Sequence, residues 1–226
     1  MAFGDKFERH PALTPEQAAL LDCYQRVRAV SMAVNTELVQ RLAKDVLDEG
    51  GKKLGILQNG VFVFDTEDES SVLMDYCIYE VRRDGRNAVE QFLLDRPPAL
   101  DSEEMVVLQA MQRAIYGVLA IDEVIPGLGV NVRDLLFNRK MFVADVGMSM
   151  SLSFGVVFAS RLLPYEGFCT TTGAALPLGS MPPDQQRTLG KRLAKQLTRN
   201  GRSRLDPAAL IRDCLARGVS SHVAYR

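Results

Sequence analysis

Few residues in this chain could do chemistry, and their types narrow what that chemistry would be. The sequence has two histidines, His10 and His222, both near its ends, so a Ser-His-Asp or Cys-His nucleophilic site has no base in the body of the protein. The four cysteines (Cys23, Cys77, Cys169, Cys214) form no C-x-x-C pair and imply neither a zinc knuckle nor a disulfide framework. They read as small buried hydrophobes in a reducing compartment. Carboxylates are the remaining candidates. Asp65, Glu67, Asp68, Glu69 and Asp75 lie within one short segment and could hold a hard cation, with Asp65, Glu67, Asp68 and Asp75 as ligands. The plainer reading of the same run is acids at a helix N-terminus, where the helix dipole favours them. A metal-assisted hydrolase would also need Arg82 or Arg83 nearby to meet an anionic substrate.

Cations provide a second constellation. From Arg187 to Arg226 there are ten Lys or Arg against two Asp, a net charge of +8, while residues 1–186 carry −9. Arg187, Lys191 and Lys195 recur at i, i+4, i+8 beside a Leu189, Leu193, Leu197 stripe, so one helix face can bury while the other presents charge. Arg192, Arg199, Arg202 and Arg204 extend the positive track. Such a basic end on an acidic body meets a polyanion (a nucleic acid or an acidic protein partner) or docks on the body itself. Tyr225 is the sole aromatic beyond Arg187, which argues against base stacking and leaves phosphate contact.

The segment "VIPGLGVNVRDLLFNRKMFVADVG" (124–147) contains Gly127-Leu128-Gly129, a pair that could pass for a phosphate loop. The dinucleotide fingerprint requires a third glycine where Val132 stands, and a P-loop requires Gly-Lys-Ser/Thr. The pair therefore reads as a turn between strands, with Pro126 setting the bend, both glycines supplying positive φ, and Asn138-Arg139 making a two-residue hairpin link.

These groups need a frame, and helix punctuation supplies much of it. Thr14, Pro15 and Gln17 form a capping box that opens a helix, with a restart at Asn35 or Thr36 and an end at Gly50-Gly51. "GVFVFD" is a short β-like run, and a helix follows it as far as Asp84-Gly85. Further helices run from Asn87 and from Ser102. From Val118 to Leu178 the apolar spacing falls to two, giving five short strands. The uncharged run Val146–Ser160 is too short and polar to span a membrane and reads as two buried strands. Behind "PLGSMPPD" come two helices, Gln185 to Arg199 and Pro207 to Arg217.

The reading is an α+β protein: a helical domain over 1–116, a small five-stranded antiparallel barrel-like sheet over 117–179, and a basic helical tail over 180–226. The N-terminus has no signal-peptide pattern, so a cytoplasmic location is expected. From about Val61 to Leu178 the chain resembles a group of bacterial proteins, many of which end in the short cysteine-rich SEC-C zinc motif. The shared traits are the turn Gly127 through Leu136 and the Ala159–Leu162 strand. The C-terminus here has no cysteine cluster, so the zinc site is not carried over, and the resemblance implies architecture without a mechanism. The expected function is a non-enzymatic binding or adaptor module with no cofactor. Its alternatives are the metal-assisted hydrolase and a structural subunit of a homo-oligomer.

Overall fold

A computed structural model describes residues 13–64, 66–199 and 206–216. Helix α1 spans Pro15–Gln40, opened by reciprocal hydrogen bonds between Thr14 and Gln17. It runs unbroken through Asn35 and Thr36, and the Thr36 hydroxyl donates back to the Met32 carbonyl at 2.9 Å. Helix α2 (Lys44–Leu54) contains Gly50-Gly51 instead of ending there. A Cβ at Gly50 would lie 2.4 Å from Cys77 Sγ, and one at Gly51 would lie 2.6 Å from the Phe62 ring. The pair is a close-packing site, and Gly55 makes the actual stop.

Strands β1 (Leu57–Gln58) and β2 (Val61–Phe62) form a small hairpin, all that the "GVFVFD" run contributes. Helices α3 (Glu67–Tyr79), α4 (Ala88–Asp95) and α5 (Glu103–Gln112) follow. Helix α3 stops short of Asp84-Gly85, which instead form a tight turn between Arg83 and Arg86. Asn87 and Glu90 make a second capping box at α4, and the Ser102 hydroxyl caps α5 through the Met105 N–H.

The sheet has five strands: β3 (Ile115–Ile125), β4 (Gly129–Asp134), β5 (Lys140–Ala144), β6 (Val156–Pro164) and β7 (Cys169–Ser180). Neighbours run β3-β4-β5-β7-β6, and β6 returns to β3, so the order closes on itself. The sheet is mixed and not purely antiparallel, because β5 meets β7 in parallel through the single pair Val143–Cys169. On β3, Val118 and Ala120 join one apolar cluster while Leu119 and Ile121 join another, so period-two spacing here buries both faces.

Three local expectations change. Residues Val146–Ser151 form a short helix, α6, and not a strand; Asp145 caps it by accepting the Met148 N–H at 2.9 Å. The β4–β5 link takes in residues 135–139, where the Asp134 carboxylate accepts the N–H groups of Leu136 and Phe137 and Asn138 has φ 54°. At the β3–β4 turn only Gly127 has positive φ (77°), the third position of a turn closed by the Leu128 N–H on the Ile125 carbonyl. Gly129 serves a different purpose. A Cβ there would sit 2.1 Å from the Val143 carbonyl oxygen.

Helices α7 (Pro183–Arg199) and α8 (Pro207–Ala216) are the last described elements. One apolar cluster takes Leu54, Val72 and Leu73 from the helices, Val118 and Val157 from the sheet, and Leu193, Leu210 and Ile211 from α7 and α8. Among the described residues, no helix is long and apolar enough to cross a membrane.

Candidate functional site

Helix α7 is fixed by its uncharged face. Leu193 is buried, and Gly190 lets the helix approach the β4–β5 link, where an added Cβ would lie 2.3 Å from the Leu135 carbonyl oxygen. Gln186, 2% exposed, donates to the Met181 carbonyl at 2.8 Å and accepts from Arg133 Nη2 at 2.9 Å. Arg133 is held in turn by two 3.1 Å hydrogen bonds to the Asp122 carboxylate. The opposite face carries Arg187, Lys191, Arg192 and Lys195, all exposed. Arg192 also approaches Asp213 of α8 at 3.7 Å. Arg199 ends α7, and Arg202 and Arg204 lie outside the described residues.

A second cation has the opposite surroundings. Arg161 on β6 is 1% exposed, the largest fully buried side chain. Its Nε donates to Asp75 Oδ2 at 2.9 Å and its Nη1 to Glu80 Oε1 at 3.0 Å. The guanidinium lies 4.3 Å from the Tyr79 ring centroid and 5.3 Å from that of Tyr116, within cation–π range. Burial works against its charge, but Asp75 and Glu80 outweigh that and raise its pKa above the ordinary arginine value. Asp75 is completed by the Thr172 hydroxyl, which donates to Oδ1 at 2.8 Å. Burial, then the charge of Asp75, pushes the Tyr79 phenol well above its usual range.

The acidic candidates do not share one place. Asp75 faces inward on α3 and is bound to Arg161, while Asp68 is exposed near the start of that helix. Asp65 and the Glu67 side chain lie outside what the structure describes. Among the described residues, no group of three His, Cys, Asp or Glu side chains is placed to hold a metal ion. Arg82 binds Glu90 at 2.8 Å, and Arg83 binds Glu49 at 2.6 Å and Asp45 at 2.9 Å, so neither serves Asp75.

Nothing local in the sequence marks Tyr79, Thr172 or Gln186 as functional candidates. The one available signal was Arg161 itself, a lone charge between "VVFAS" and "LLP", where a buried strand should carry none.

The fold and these two sites define a mixed α+β protein with a five-stranded sheet, a basic helix docked on it, and one deeply buried ion pair. The chain belongs to a family of unknown function, DUF7986, which it matches over residues 18–205. No curated protein and no solved structure matches it.

Proposed function

We propose that the protein is a non-enzymatic, cytoplasmic binding module that meets a polyanionic partner through the exposed cation face of α7. The observation carrying this reading is how α7 docks. It buries Leu193, Gly190 and Gln186 against the body and leaves Arg187, Lys191, Arg192 and Lys195 toward solvent. A basic helix docked on the acidic body through its charges would present the reverse. The metal-assisted alternative is weakened by the commitment of Asp75 to Arg161 and Thr172. Kinship with proteins ending in the SEC-C motif belongs to the same proposal, resting on Gly127–Leu136 and Ala159–Leu162.

Gel-shift titrations of RNA and duplex DNA at 50 and 200 mM salt test the reading. Four phosphate contacts to a duplex give a log–log salt slope of about −3.6, so affinity falls roughly a hundredfold over that range. Arg187→Glu with Lys191→Glu lowers the slope by about two. Absence of binding at low salt, or binding indifferent to that double substitution, overturns the nucleic-acid form of the proposal.

A further inference from the structure

Helix α7 carries cations and no aromatic, but the fold sets an aromatic beside it. Phe137 lies in the β4–β5 link and is 47% exposed. The backbone there is tied down at both sides of the ring. The Asp134 carboxylate accepts the Phe137 N–H at 3.1 Å, and the Asn138 N–H donates to the Asp134 carbonyl at 2.8 Å. The Arg139 guanidinium backs the ring, 4.8 Å from its centroid.

Two contacts fix α7 against this link. Gln186 accepts from Arg133 Nη2 at 2.9 Å, and Gly190 lies against the Leu135 carbonyl. Arg187 and Lys191 each follow one of those contacts by a single residue, and both are exposed. On the sheet, Lys140 of β5 pairs with Arg133 of β4, so the two side chains share one face of the pleat. Phe137, Lys140, Arg187 and Lys191 therefore belong to one neighbourhood, assembled from the link, a strand and a helix. Among the described residues, none of those three cations has an ion-pair partner. The acids nearby are mostly engaged: Asp122 binds Arg133, Asp134 lies 3.7 Å from Arg139, and Glu123 accepts from the Asn131 amide at 2.7 Å. Asp184 stands in the first turn of α7.

Resting on the polyanion reading of α7, we propose that this surface takes a single-stranded nucleic acid. One base stacks on Phe137, and flanking phosphates meet Lys140, Arg187 and Lys191. A single strand exposes its base faces and can lay them on an aromatic ring or a guanidinium plane. A duplex keeps those faces in its own stack and would meet the cations alone. The strand order supports the same surface. The run β3-β4-β5-β7-β6, returning to β3 with α6 between β5 and β6, is the order of the OB-fold, whose second and third strands form its ligand face. Those strands are β4 and β5 here, and Phe137 sits on the link between them. Strand order alone assigns no function, so the ring and the cations carry the selection. Stacking and phosphate contact read neither the base nor the sugar, so RNA and DNA strands bind alike.

The test is a fluorescence-anisotropy titration of the full chain at about 150 mM salt, with labelled oligo-dT and oligo-rU of about ten nucleotides and a duplex of equal length. The two single strands bind within about threefold of each other and more tightly than the duplex. Phe137→Leu weakens single-strand binding at least about fivefold, whereas Phe137→Tyr, which keeps a ring, binds like the parent. Duplex binding is the same in all three proteins. Lys140→Gln lowers the log–log salt slope for oligo-dT by about 0.7. Should Phe137→Leu disturb folding, that slope decides, and an unchanged slope overturns the inference. It is also overturned if Phe137→Leu binds single strands like the parent, or if the duplex binds as tightly as they do. In either case, binding that still weakens with Arg187→Glu and Lys191→Glu leaves the polyanion reading of α7 standing by itself. No binding of any of the three probes removes this inference and the nucleic-acid form of that reading together.

Discussion

Arg161 and the arginines of α7 are the same residue type in opposite settings. Arg161 sits inside the protein, with two carboxylates and two tyrosine rings around its guanidinium. Arg187 and Arg192 stand on the outer face of a helix that is anchored by leucine, glycine and glutamine. The difference teaches where a positive charge acts on the fold and where it acts on a partner. In the interior, an unpaired ion costs several kcal/mol, so the ion and its counter-ions must be kept or lost together. On the surface, water screens each charge and most substitutions change stability little.

The sharpest way to break the comparison is to remove the buried cation. Arg161→Met strands Asp75 in the interior and should lower stability by about 3–5 kcal/mol, read by urea denaturation. Adding Asp75→Leu to that variant should restore a good part of the loss, since no unpaired carboxylate then remains beside Thr172. A double variant no more stable than Arg161→Met would show that the cost does not come from Asp75, leaving Glu80 and packing as its sources.

Next in size is the docking of α7. Gly190→Ala places a Cβ 2.3 Å from a backbone oxygen of the β4–β5 link, which cannot move aside as a flexible side chain would. A loss of about 1–3 kcal/mol follows, with faster proteolysis between β7 and α8. An unchanged melting temperature would mean that α7 is not seated there, and its exposed face would lose its fixed orientation.

A third effect separates interior from surface by pH. Burial pushes the Cys77 thiol and the Tyr76 phenol up to about 12 each. Both are neutral when protonated, so folding retains their protons more tightly than the open chain does. Their contribution is complete below the unfolded thiol value of about 9 and is lost as pH rises toward 12. The melting temperature should hold between pH 7 and 8.5 and fall above it, less steeply in Cys77→Ala. An equal slope in that variant would assign the loss to other groups.

The same contrast explains what could be read in the sequence. Local punctuation was legible: the Thr14–Gln17 capping box, the helix start at Pro207, and the five strands all depend on neighbours a few positions apart. Gly50-Gly51 misled because a glycine pair marks a helix end and a close helix contact alike, and only Cys77 and Phe62, distant in sequence, decide between them. Helix α6 was hidden in an uncharged run, although Asp145 stood ready as its cap. The buried centre was the least legible part. Arg161 meets a carboxylate 86 positions earlier in the chain, and Thr172 reaches the same carboxylate through a bulge that no spacing rule announces.

The smallest expected effect bears most on function. Arg187→Glu with Lys191→Glu reverses two exposed charges on α7. Glutamate near a helix N-terminus gains a few tenths of a kcal/mol from the dipole, while the first of the two new carboxylates, one turn after Asp184, would lose a similar amount by repulsion. The net change in urea denaturation should stay within about 0.5 kcal/mol, because neither side chain supports the core. Polyanion binding should weaken strongly in the same protein. A loss above about 1.5 kcal/mol would instead make these cations part of the docking of α7 on the acidic body. The exposed face would then have no spare charge to offer, and the binding reading would lose the observation that carries it.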